Sequence, residues 1–223
     1  MYIIIAGGGL IGKGLARRLS DSKHDIVVIE PDVKACEEIY AKYGAITITG
    51  NSTQLEIVKN AGIEKCDVAI AATDSDANNL AFAVLAKHFN VSQIMVRMND
   101  SNYEDVYKSV GITNITKTTE LIIDQLMVSV ETPYLSKVTK MGDLEICFVN
   151  VSNNSRFVGI KISKIVKDKK FPKNIIITSI YRDKEKQFIV PYGDTIINDN
   201  DRVFMCGKDK DIKKAANMIR SKK

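Results

Sequence analysis

The feature that most constrains this 223-residue chain is a glycine run six residues from its start. Gly7-Gly8-Gly9-Leu10-Ile11-Gly12 follows the apolar segment Tyr2–Ala6, and Ile11, Leu15 and Leu19 then recur every fourth residue. Glycines cluster in many turns, so the run carries weight only because a strand precedes it and a helix follows. In that setting each glycine has a task. Gly7 permits a tight turn, Gly9 lets backbone approach a pyrophosphate, and Gly12 lets the helix pack close to the strand. The new helix then aims unpaired N–H groups and a partial positive charge at the loop, which is an anion site.

The same alternation continues through the first half. Strand patterns are expected at 26–29, 45–49, 68–72, 93–96 and 112–115, with helices over 33–43, 73–89 and 103–110 between them. Thr53-Gln54-Leu55-Glu56 reads as a capping box opening a short helix that Gly62 ends. Continuous apolar strands alternating with helices predict a doubly wound parallel sheet of the Rossmann type, with helices on both faces. A further helix over 120–131 is apolar all round (Leu121, Ile122, Ile123, Leu126, Met127, Val128, Val130). Such a helix is sandwiched within one domain or covered by a neighbouring domain or second copy.

Beyond Pro133 the pattern changes to strands at 144–151, 175–181, 187–190 and 202–206 and a last helix near 210–220. This is a small α+β module, so the expected domains are 1–133 and 134–223. Charge divides at the same place. Residues 1–133 hold 12 Lys and Arg against 17 Asp and Glu, and residues 134–223 hold 20 against 10. The basic half shows no recognition-helix pattern and no aromatic interleaving, so nucleic acid is not the expected partner. Scattered lysines keep a small domain soluble in the plainest reading, although the balance also suits an anionic ligand.

The nucleotide site is expected from Gly7, Gly8, Gly9, Leu10, Ile11 and Gly12, with further residues at later strand ends. Glu30, 18 positions after Gly12, closes the second strand, where a carboxylate accepts hydrogen bonds from ribose hydroxyls and repels a 2′-phosphate. That favours NAD(H) or another adenosine nucleotide over NADP(H). Asn51 and Ser52 follow the third strand and are placed to meet the adenine and its ribose. Thr73 and Asp74 follow the fourth, with Asp74 or Ser75 equally suited to cap the next helix. Arg97 follows the fifth and is placed to reach a phosphate.

Several classes are not expected. The four cysteines are far apart without a C-x-x-C pair, and the chain has only two histidines, His24 and His88. Neither a metal site nor a catalytic relay is therefore expected. No run approaches a membrane span, and Met1 leads straight into a strand without a signal sequence, so a cytoplasmic protein is expected. A small NAD-dependent oxidoreductase is the alternative, and it would need a proton-transfer group beside the nicotinamide.

Taken together, these segments resemble the RCK (TrkA/KtrA-type) regulatory subunits of potassium transport. The first half resembles a TrkA-N domain through Ile3–Gly9, Val27–Glu30, Gly50-Asn51-Ser52-Thr53, Ala71–Asp76 with Asn78-Asn79, and Val96-Arg97. The second resembles a TrkA-C domain through Val158-Gly159, Pro172, residues 175–180, Pro191–Thr195 and Asp201-Arg202-Val203. The resemblance implies a non-enzymatic regulator that binds NAD(H), or ATP and ADP. It implies a homodimer built through the 120–131 helix, an octameric ring of such dimers, and a membrane potassium channel or transporter as a separate partner, on the inner face of the membrane. A second small anionic ligand in the C-terminal domain is known among relatives. ATP-responsive relatives carry an arginine where this chain has Leu10, which favours NAD(H) here or leaves the task to Lys13, Arg17 or Arg97.

Overall fold

In the computed structural model, which describes residues 1–221 (140 and 141 by backbone only), the chain divides into two compact units, Met1–Ile122 and Ile123–Lys223. The division falls eleven residues before Pro133, inside a helix that buries none of its own residues and so belongs to neither core.

In the first unit β1 (Tyr2–Ala6), β2 (Asp25–Glu30), β3 (Ile46–Thr49), β4 (Val68–Ala71), β5 (Gln93–Met98) and β6 (Ile115–Lys117) form one parallel sheet, ordered β3-β2-β1-β4-β5-β6. The order reverses between β1 and β4. On one face α1 (Leu10–Ser20) and α2 (Val33–Tyr43) pack through Ala16 and Ile39 over Ile3, Ile5, Ile26 and Val28. The other face is covered by α3 (Leu55–Asn60), α4 (Asp76–His88) and α5 (Glu104–Ser109), with Phe82 and Tyr107 fully buried over Ile4, Ala69 and Val96. The doubly wound parallel sheet expected from the sequence is therefore the fold.

Two local expectations are corrected. Thr53 does not cap α3: the cap position is Gln54, without a side-chain bond. Asn51 takes Thr53 instead, its Oδ1 accepting from Thr53 N at 3.0 Å and Oγ1 at 2.9 Å in a tight local turn. The sixth strand runs later than 112–115. Ile112 is buried, with its N–H bonded to the Tyr107 carbonyl, and so plugs the core before the strand begins.

Helix α6 (Thr118–Glu131) leads onward, with Leu121, Ile122, Ile123, Leu126, Met127 and Val130 all exposed. In the second unit β7 (Leu135–Met141), β8 (Leu144–Asn150), β9 (Ile175–Arg182), β10 (Gln187–Ile189) and β11 (Asp201–Lys208) form an antiparallel sheet ordered β10-β9-β11-β8-β7. One face is covered by α7 (Ile162–Lys167) and α8 (Asp209–Arg220). Ile165, Ile212, Ala215 and Ile219 from these helices meet Cys147, Val149, Val203 and Met205 in a separate core. Strand β7 and helix α7 were not expected from the sequence. β7 is an edge strand with a register shift between Lys137 and Thr139, and α7 is a six-residue turn of helix with no side-chain cap.

Candidate functional site

The glycine loop is held by contacts that leave no alternative residue at two positions. Gly7 adopts φ +102°, and a Cβ there would meet the Ala72 and Thr73 backbone at 3.0–3.1 Å. A Cβ on Gly12 would lie 1.8 Å from the Gly7 carbonyl oxygen. Gly9, by contrast, faces open space and is the N-cap of α1 with no side-chain partner for the helix. The first N–H groups of α1 are thus free for a ligand. Gly8 packs against Glu30 and Ile39, behind the loop.

Glu30 has a defined role in this architecture. Its Oε2 accepts from Gly8 N at 2.6 Å and its Oε1 from Asp32 N at 3.0 Å. The carboxylate therefore ties the glycine loop to the end of β2. An ionised carboxylate has about four lone-pair positions, so two remain for ribose hydroxyls.

A cavity of about 300 Å³ opens above this loop, astride the β1/β4 switch point. Gly7 and Gly9 line it from the first turn, and Ile29, Glu30 and Pro31 from the end of β2. Asn51 and Ser52 come from the loop after β3, and Ala72, Thr73, Asp74 and Asn78 from the end of β4 and the start of α4. Seven of the residues expected at the site converge here: Gly7, Gly9, Glu30, Asn51, Ser52, Thr73 and Asp74. Gly8 and Gly12 shape the loop from behind. Leu10 is 95% exposed, and Ile11 lines a separate apolar groove with Leu15, Ile70 and Met95. Arg97 is adjacent but does not line the cavity. Its Nη1 donates to the Thr73 carbonyl at 3.3 Å and to Asp74 Oδ1 at 2.5 Å, and the Asp74 side chain is almost wholly exposed. The helix cap is Ser75, whose Oγ accepts from Asn78 N, and not Asp74.

The residue that sequence reasoning underused is Asn79. It is fully buried, and its Oδ1 accepts from Thr73 N at 3.0 Å and from Thr73 Oγ1 at 2.7 Å. Its Nδ2 donates to the carbonyls of Thr73 at 3.0 Å and Arg97 at 3.1 Å. A single amide thus locks the loop after β4 to the end of β5. A buried amide at the fourth helical position, where an apolar residue is expected, was the available signal. Pro31, Ile29 and Ala72 give no polar signal and enter through shape alone.

Charged groups beside the site are paired. Lys13 of α1 bonds Glu38 of α2, which also accepts from Lys42 at 2.8 Å. The hydrogen bonds from these lysines hold the Glu38 carboxyl down at about 2. Burial raises the Tyr107 phenol, which donates to the Asp76 carbonyl at 3.0 Å. Among the described residues no cluster of His, Cys, Asp and Glu is able to hold a metal ion, and no helix is long and apolar enough to cross a membrane.

Comparison with known families fits this geometry. The TrkA-N domain model matches residues 3–118 and the TrkA-C domain model residues 148–220. This chain belongs to the TrkA family. A Trk system potassium uptake protein TrkA homolog of Methanothermobacter thermautotrophicus is 27% identical over 217 residues, covering 96% of this chain and 97% of that one. A TrkA homolog of Archaeoglobus fulgidus is 30% identical over 220 residues, and there the chain spans only 48% of the relative's length. Among solved structures, the GsuK channel bound to NAD superposes with a TM-score of 0.67 at 16% identity, over 100% of this chain and 40% of that one. The GsuK RCK domain gives 0.69 at 15% identity, over 100% of this chain and 48% of that one. At these identities the structures establish a shared fold, the RCK architecture, for this TrkA-family chain.

Proposed function

We propose that this chain is a nucleotide-sensing regulatory subunit of a membrane potassium channel or transporter, with NAD(H) as its ligand. One observation carries the reading: the glycine loop, the uncapped start of α1 and the Glu30 carboxylate all face one cavity at the switch point of a TrkA-N fold. Phosphates would sit at the α1 N-terminus and a ribose at Glu30. An incoming phosphate would also compete with Asp74 for Arg97. Both carboxylates of the cavity are already engaged, Glu30 with backbone N–H groups and Asp74 with Arg97, which suits binding better than proton transfer. Leu10 at the start of α1 supplies no charge for a terminal phosphate, and this favours NAD(H) over ATP and ADP.

In this reading the working form is a homodimer assembling into an octameric ring against the cytoplasmic face of the membrane. Support comes from α6, whose six exposed apolar side chains need cover, and from the groove of about 210 Å³ beside Ile11, Leu15, Ile70 and Met95. A helix from a second copy fits both needs. Residues 1–133 would form the sensing domain with α6 as its dimer arm, and residue 134 onward the regulatory domain. Four basic residues of that second domain, Arg156, Lys169, Lys170 and Lys214, line a depression of about 780 Å³, which suits a second small anionic ligand.

Calorimetric titration with NADH, NAD, ATP and ADP, combined with light scattering, tests the reading. Saturable NADH binding and a mass of at least two chains are expected. No nucleotide binding, or a monomer at every concentration, overturns it.

A further inference from the structure

A regulator must connect its ligand cavity to the element that carries the response. Around the loop after β4, one run of hydrogen bonds leads away from the cavity and ends on the first turn of α6. It begins at Asp74, which lines the cavity and whose carbonyl accepts from Asn99 Nδ2 at 3.2 Å. Asn99 lies just past β5. Its main chain is fixed from below, because the Asp76 carboxylate accepts from Asn99 N at 2.9 Å through Oδ1 and from Asp100 N at 2.9 Å through Oδ2. With its amide nitrogen turned to Asp74, its Oδ1 faces the opposite way and lies 3.0 Å from Thr118 Oγ1. Thr118 is the first residue of α6.

The Thr118 hydroxyl has one proton and two acceptors within reach, Asn99 Oδ1 at 3.0 Å and the Met98 carbonyl at 3.1 Å. One donor cannot fully satisfy both, so the hydroxyl at the start of α6 has two hydrogen-bonded settings of similar length. One setting is linked to the cavity through Asn99 and the other is anchored in β5 alone. A ligand that moves the Asp74 carbonyl changes how well Asn99 can present its oxygen, and so biases that choice. Ser101 Oγ donates to Glu120 Oε1 at 2.6 Å, two residues further along the same first turn.

We infer that Asn99 and Thr118 are a positioning pair that transmits occupancy of the Asp74 side of the cavity to the first turn of α6. Neither residue lines the cavity. The inference rests on the nucleotide reading above and assigns it a route. It has the form that coupling requires, a discrete element with two settings that a ligand biases by differential affinity.

The test uses the full chain with NADH as probe and hydrogen exchange as readout. In the wild type, NADH is expected to change exchange of the 118–131 amides at least several-fold. Asn99→Ala and Thr118→Val are expected to bind NADH within about tenfold of wild type, a change inside the range of a typical coupling energy, yet to lose the α6 response. Thr118→Ser, which keeps the hydroxyl, is expected to restore it. A purely structural role would alter exchange without NADH and leave the NADH-induced difference in place. Should Asn99→Ala fail to fold, Thr118→Val and Thr118→Ser decide the matter alone. An undiminished response in Thr118→Val, or no α6 response in a wild type that binds NADH, overturns the relay. Absence of NADH binding by the wild type would instead defeat the nucleotide reading.

Discussion

Replacement of Asn79 by leucine tests whether the ligand loop is held by buried polar bonds or by packing. Leucine keeps the forked shape of asparagine with more bulk, so the change removes four hydrogen bonds and opens no space. Two of the four partners have substitutes: Thr73 Oγ1 also reaches the Ser75 carbonyl at 3.1 Å, and the Thr73 carbonyl still accepts from Arg97 Nη1. The Thr73 N–H and the Arg97 carbonyl keep no bond from a side chain. A main-chain group left unpaired costs up to about 1–3 kcal/mol, and these two are part-buried, so the variant should lose at most about 2–6 kcal/mol. That is a large part of the roughly 5–15 kcal/mol available to a domain. Urea unfolding followed by circular dichroism gives the loss, and the chain has no tryptophan, so tyrosine fluorescence serves as the second probe. Native-state hydrogen exchange at β4 and β5 assigns the loss to the first unit. A loss below about 1 kcal/mol would refute the reasoning, because it would mean that both groups find other partners. Asn79→Asp should fare no better, since its second oxygen would face the carbonyls of Thr73 and Arg97.

Gly12→Ala should abolish NADH binding, since its Cβ would overlap the Gly7 carbonyl oxygen, whereas Gly14→Ala, with open space around it, should bind normally; paired fluorescence titrations separate them. Glu30→Ala should weaken NADH binding by about 1–3 kcal/mol, the range for a lost charged hydrogen bond, and unchanged affinity by calorimetry would show that the ribose is held elsewhere. Hydrogen bonds from Lys108 and Lys117 hold the Glu104 carboxyl at about 2, below its ordinary value of 4.5. A depressed folded value contributes stability above the unfolded value and loses it as pH falls through the folded one. Wild type should therefore melt above Glu104→Gln at pH 7, and the gap should close between about pH 4.5 and pH 2; a gap independent of pH in calorimetric melts would remove the ion pair as its cause.

The first domain was legible because its signals are local. A glycine loop between strand and helix, apolar strands at regular intervals and a carboxylate at the end of β2 each follow from a few neighbouring residues. What stayed hidden depended on competition or on distance. Thr53 and Glu56 spell a capping box, yet Asn51 two residues earlier captures Thr53 first. Ile112 carries a strand residue's side chain but spends it filling the core beside Tyr107. Asn79 acts across 18 residues on Arg97, a pairing that no local pattern records. Leu10 and Ile11 sit inside the motif, but the helix turns both away from the cavity that the motif builds.

The exposed face of α6 has a consequence for how this protein behaves as a quantity. In the proposed dimer a second copy would cover these six large apolar side chains, so association would supply part of the folding free energy, a part that would grow with the logarithm of protein concentration. A melting temperature measured on such a dimer would be a point on a dilution curve and not a constant. The number of copies a cell makes would then become one of the terms that set its stability.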